Sequence, residues 1–153
     1  MRVVFLDFDG VLTRETDPGP PQRFTGLQPD LVELLNQILE RTGALVVITT
    51  AWRFHYGAKA LQVLLEQTGF RGKVVGTCMA FLANLVDHHQ SWQYREHEIA
   101  AWARLYDVAE RDYIVLDDFR MQTLVRRQIL SESAVGLTPA LVEQSVRLLG
   151  LER

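Results

Sequence analysis

Cysteine is nearly absent from this chain: Cys78 stands alone among 153 residues. A single thiol cannot close an intramolecular disulfide, and a cysteine-built zinc site is excluded with it. The cytoplasm is therefore the expected compartment, and Cys78 is most simply a small buried residue. Lysine is almost as scarce, with Lys59 and Lys73 the only two, so arginine carries nearly all the positive charge. Arginine's planar fork suits bidentate phosphate contacts, although a GC-rich genome produces the same bias. Positive charge is not in surplus either: a formal net charge of −3 excludes an overall cationic field of the kind that drives non-specific nucleic-acid binding. Long apolar runs are missing too. The first, Val3 to Leu6, is broken by Asp7 and Asp9 and makes no signal-peptide core, and no run approaches the ~20 residues that span a bilayer. The expectation is a soluble, non-secreted protein with no membrane partner.

Hydrophobic residues make up 48% and charged residues 23%, close to the soluble globular average, so wholesale disorder is excluded. A chain of this length fits one domain, residues 1–153, able to bury roughly 70% of its unfolded surface. Arg2 to Asp7, Ala44 to Ile48 and Asp112 to Asp117 are short, nearly continuous apolar runs, the pattern of strands buried on both faces. Lys73 to Gly76 and Gln128 to Leu130 are weaker strands, the latter an edge. Helical spacing recurs over Pro29 to Arg41, Ala58 to Gln67 and Glu96 to Tyr106, and from Thr138, as N-cap, through Leu149. Met121 to Arg127 reads as a further helix and Met79 to Val86 as a helical turn. Asp87 to Ser91 reads as loop. Residues 14–27, with the Pro/Gly cluster Asp17 to Pro21, read as an irregular surface loop. Alternating strands and helices predict an α/β fold, a mostly parallel sheet covered on both faces, with ligands at the carboxyl ends of its strands.

Three of those strands end in Asp7-Phe8-Asp9, in Thr49-Thr50 and in Asp117-Asp118. One rim of the sheet therefore gathers four carboxylates and two hydroxyls. Such a cluster calls for a hard divalent cation to relieve repulsion, and oxygen-only donors favour Mg²⁺ over zinc.

The run Phe5-Leu-Asp7-Phe-Asp9-Gly-Val-Leu-Thr13 resembles the first signature of the haloacid dehalogenase (HAD) superfamily. The resemblance implies a Rossmann-like three-layer sandwich and a magnesium-dependent phosphomonoester hydrolase. Asp7 would be the nucleophile that forms an aspartyl-phosphate. Asp9 would be the general acid and then base, and Gly10 would leave room where a side chain would crowd the phosphate. Asp7, Asp9 through its backbone carbonyl, and Asp118 would hold the metal, with Asp117 in support. Thr49, or its neighbour Thr50, resembles the hydroxyl of the second signature. Arg95, or alternatively Lys73, resembles the cation of the third. Ile48-Thr-Thr-Ala-Trp-Arg53 with Arg95-x-x-Glu98-Ile-x-x-Trp102 further resembles a small capless branch associated with RNA repair, whose phosphatase members resemble the end-healing domain of polynucleotide kinase-phosphatases. A nucleic-acid 3′-phosphate end is the substrate this implies, with Arg53 open to a second phosphate or base and Trp52 read as packing.

Neither the 14–27 loop nor the interval from Arg53 to Tyr94 has room for a cap domain, and an open site fits a macromolecular phosphoryl end. Two other readings stay open: a phosphatase of small nucleotides or sugars, and a non-catalytic phosphoacceptor or interaction module. Receiver-like domains carry the phosphorylated Asp on a later strand and a lysine on the last one, unlike this chain. His88 and His89 are adjacent on a loop and read as surface residues.

Overall fold

A computed structural model describes residues 1–17, 19, 21–78 and 94–150. The readings of Met79 to Val86, Asp87 to Ser91 and the histidine pair fall outside the described residues. The elements are β1 (Val3–Leu6), β2 (Glu15–Asp17), β3 (Arg23–Phe24), α1 (Pro29–Thr42), β4 (Leu45–Ile48), α2 (Ala58–Gln67), β5 (Val74–Thr77), α3 (Arg95–Leu105), β6 (Tyr113–Asp117), β7 (Gln128–Leu130) and α4 (Pro139–Leu148). None of the described helices is long and apolar enough to cross a membrane.

Five strands form one parallel sheet in the order β5-β4-β1-β6-β7. The centre falls to β1 because Val3 to Leu6 are apolar on both sides. Val4 and Leu6 enter one buried cluster with Leu35 of α1, Leu61 of α2 and Val142 of α4, while Val3 and Phe5 enter a second with Ile99 and Trp102 of α3. Alternate side chains of a strand point to opposite faces, so three helices cover one face and α3 the other. Phe5 anchors the α3 layer by edge-to-face contacts with Trp102 at 5.6 Å and Tyr113 at 5.4 Å. The apolar period of α1 faces the core, and the helix stops at Gly43, whose φ of 69° lets its N–H donate to the Leu39 carbonyl. Thr138 caps α4, its side chain accepting from the Leu141 N–H at 3.2 Å.

Two expectations need correction. Residues 14–27 are not irregular throughout, because Glu15–Asp17 and Arg23–Phe24 pair antiparallel across the Pro/Gly cluster. The pairing falls on Glu15 to Asp17 and Arg23 to Phe24, none of which is a proline, so each has the N–H that a ladder can require. Nor is Met121 to Arg127 helical: it runs as bends and a turn. Its amides have better acceptors than a two-turn helix offers. Thr123 and Leu124 donate to the Glu96 carboxylate at 2.8 and 3.0 Å, and Met121 donates to the Gln128 side chain at 2.8 Å. A helix that short does not repay its nucleation.

Candidate active site

The parallel order β4-β1-β6 sets three strand ends side by side. The Asp7 N–H still donates to the Leu116 carbonyl at 3.0 Å, so Asp7 continues the ladder and its side chain is fixed at the rim. The chain then turns sharply, the amides of Val11, Leu12 and Thr13 converging on the Phe8 carbonyl at 3.0, 2.8 and 3.2 Å. This turn presents Asp9, whose carboxylate accepts from Thr13 Oγ1 at 3.1 Å and from Trp52 Nε1 at 3.3 Å. Asp7, Asp9, Thr50, Arg95, Asp118 and Ser133 line a cavity of about 340 Å³, with Gln22 and Phe24 from the β2–β3 hairpin and Phe119 beyond β6 completing the wall.

Carboxylate oxygens of Asp7, Asp117 and Asp118 lie within 4.8 Å of one another. Arg95, the first residue of α3, answers part of that charge: its Nη1 stands 3.2 Å from Asp7 Oδ2 and 2.8 Å from Asp117 Oδ2. Burial nevertheless pushes the Asp7 carboxyl up to about 8. Arg95 pulls it down and the Asp117 and Asp118 charges push it up again. Asp118 rises to about 6, again chiefly through burial, against a restraining hydrogen bond from Ser133 Oγ at 2.7 Å. Burial acts to lower the Arg95 guanidinium, but the Asp7 and Asp117 charges outweigh it, so the guanidinium stays firmly charged. An all-oxygen donor set, buried and short of positive charge, fits a hard divalent cation. Both Asp117 oxygens are engaged, Oδ1 by the Phe119 N–H at 2.9 Å and Oδ2 by Arg95. Asp118 is the member of the pair that faces the cavity.

A family model described as the HAD domain in Swiss Army Knife RNA repair proteins matches residues 3–142. The chain belongs to this family. Its fold is accordingly the HAD-like α/β sandwich. Among solved structures, one of a Legionella pneumophila protein assigned to the HAD superfamily (subfamily III A) hydrolases shares 12% identity, covers 97% of this chain and 84% of its own, and superposes with a TM-score of 0.42. No curated protein matches the sequence.

Within this HAD domain the remaining candidates separate. Thr50 lines the cavity, its hydroxyl accepting from the Trp52 N–H at 3.4 Å. Thr49 is fully buried, and its Oγ1 has no hydrogen-bond partner among the described residues. Lys73 precedes β5 and borders a different depression with Asn36 and Gly43, at the opposite rim from Arg95. Gly10 has a φ of +78°, and a Cβ there would also collide with the Asp118 carboxylate. Arg53, left open as a contact for a second phosphate or base, has a side chain 5% exposed that is engaged by Glu98 and the carbonyls of Thr49 and Thr50. Trp52 packs as expected, edge-on to Phe8 at 5.2 Å, but its indole N–H also holds Asp9.

Sequence reasoning missed this last contact, together with Ser133 on Asp118 and the hairpin residues Gln22 and Phe24 in the cavity wall. Trp52 carried a faint signal, standing two residues beyond a strand end that already bore chemistry. Ser133 carried none.

Proposed function

We propose that this HAD domain is a magnesium-dependent phosphomonoester hydrolase that works through an aspartyl-phosphate on Asp7, and that residues 1–153 act as one catalytic domain. The observation that carries the reading is the Asp7 carboxylate at the cavity floor, 3.2 Å from the Arg95 guanidinium and clustered with Asp117 and Asp118. In the first step an Asp7 oxygen bonds to phosphorus as the ester oxygen leaves with a proton from Asp9. In the second, Asp9 takes a proton from water, which attacks phosphorus, breaks the acyl-phosphate bond and releases inorganic phosphate. Splitting the displacement this way replaces one difficult step with two easier ones. Asp9 suits its part because Trp52 and Thr13 hold its carboxylate at a fixed angle. Thr50 at the cavity wall, or its buried neighbour Thr49, would donate to a phosphoryl oxygen, and Arg95 would offset charge on nucleophile and phosphoryl group. Asp7, the Asp9 carbonyl and Asp118 would hold Mg²⁺, with Asp117 orienting Arg95. The ion supplies charge neutralisation at the phosphoryl oxygens and lets Asp7 ionise.

For substrate we favour a 3′-phosphate end of a nucleic acid. The family is described from RNA repair proteins, and among the described residues only the β2–β3 hairpin stands between β1 and α1. The wall also offers Phe24 and Phe119, apolar surface of the kind on which bases stack. The test is hydrolysis of a generic phosphate ester with and without Mg²⁺, in wild type and Asp7→Asn, followed by kcat/KM for a 3′-phosphorylated oligonucleotide against its mononucleotide. Mg²⁺-dependent turnover abolished in the variant is expected. Wild-type activity retained by Asp7→Asn would refute the mechanism, and a preference for the mononucleotide would transfer the substrate reading to small phosphates.

A further inference from the structure

We infer that the buried Arg53–Glu98 pair is a positioning device that holds the Thr49–Thr50 strand end and the Arg95 helix end in register around Asp7. This rests on the phosphohydrolase reading above.

Both side chains are 5% exposed, and Arg53 does not line the cavity. Its Nη1 donates to the carbonyls of Thr49 and Thr50, and its Nη2 donates to Glu98 Oε2. One guanidinium therefore ties the backbone that carries both hydroxyls to a side chain of α3. Glu98 is three residues beyond Arg95 on that helix, so the two lie one turn apart on a shared face. Arg95 in turn reaches Asp7 and Asp117. The pair is a polar bridge between the two elements that the phosphohydrolase reading sets around a phosphoryl group.

Stability alone does not explain it. Removing both ions from water is costly, and such pairs are often replaceable by apolar residues without loss. Here burial depresses the Arg53 guanidinium and raises the Glu98 carboxyl despite their mutual attraction. Arg53 Nε has no hydrogen-bond partner among the described residues, a further cost of this arrangement. Nor is the pair needed to attach α3, which already packs on the sheet through Ile99, Trp102 and Ala103. Apolar packing is non-directional. Directional hydrogen bonds fix the height at which Arg95 meets Asp7.

The test compares Arg53→Met, Glu98→Leu and the double variant, reading p-nitrophenyl phosphate turnover with Mg²⁺, binding of inorganic phosphate by calorimetry, and thermal unfolding. Each single variant leaves a buried charge unpaired and should lower both Tm and kcat. The double variant removes both charges. We expect it to regain most of the wild-type Tm while kcat stays down about 10²-fold, the scale of a 1 Å misplacement, with phosphate binding weakened in parallel. Recovery of kcat together with Tm would reduce the pair to a structural role and overturn the inference. A rise in KM confined to Arg53→Met would return Arg53 to substrate contact and also overturn it. Wild-type protein that binds phosphate but turns nothing over would sink the enzyme reading alone, and the inference would then stand or fall on phosphate binding by the double variant. Wild type that neither binds phosphate nor turns over ester would overturn both.

Discussion

Replacing Gly10 with alanine separates the demands of backbone from those of chemistry. The substitution carries two costs of different kind. Gly10 has φ of +78°, and holding a Cβ-bearing residue in the left-handed region costs about 1–2 kcal/mol. For a domain of this size that is a Tm loss of about 2–8 °C. The second cost falls on Asp118, whose Oδ2 would lie 2.1 Å and Cγ 2.5 Å from the new methyl. The carboxylate cannot yield freely, because Asp118 directly follows β6 and its Oδ2 accepts from Ser133 at 2.7 Å. Relief requires it to retreat by about 1 Å or more, and misplacement on that scale costs turnover about 10²-fold. Gly43→Ala is the control: its φ is +69° and nothing lies within 4 Å of a Cβ there. It should lose similar Tm and keep its turnover. Thermal unfolding, p-nitrophenyl phosphate hydrolysis and a Mg²⁺ titration on both variants decide the matter. Turnover and Mg²⁺ response in Gly10→Ala equal to those of Gly43→Ala would refute the placement of Asp118 as a ligand.

Asp9→Asn should lower kcat by about 10²–10⁴-fold, as loss of general acid–base transfer does, with slow leaving groups hit hardest; equal loss for fast and slow leaving groups would remove the acid role. Thr49→Val should stabilise, because it replaces a buried hydroxyl without a partner, an arrangement costing about 1–3 kcal/mol, and should lower turnover. A stabilised variant with undiminished kcat would pass the phosphoryl contact to Thr50 alone. In a chelator the protein should become less stable as pH rises from about 4 towards 8. Asp7 is raised from 3.8 to about 8 in the folded chain, so its contribution is fully present below the unfolded value and is lost as the folded carboxyl must ionise. Saturating Mg²⁺ should flatten that slope, and a Tm independent of pH in chelator would contradict the burial assigned to Asp7.

How far the sequence could be read depended on whether each residue's partner was near in the chain. β1, β4 and β6 were legible because each is a short, nearly continuous apolar run buried on both faces, and α1 because Pro29 and Gly43 bracket its period. The β2–β3 hairpin was not, since it pairs polar residues such as Glu15 and Asp17 around a tract that looks only like a loop. Met121 to Arg127 misled because its apolar spacing was helical while its amides went to Glu96 and Gln128. The acidic positions stood out because they follow strand ends in continuous motifs. The contacts that hold them did not, because Trp52 lies 43 residues from Asp9 and Ser133 lies 15 from Asp118. No local pattern specifies such pairings; the sheet order β4-β1-β6 creates them by setting distant strand ends side by side. Arg53 marks the boundary. An arginine just past a threonine-bearing strand end has the chemistry of a phosphate ligand, and nothing around it in the sequence argues otherwise. Glu98, 45 residues further on and one turn along α3 from Arg95, pairs with that guanidinium in a buried contact that no local pattern announces.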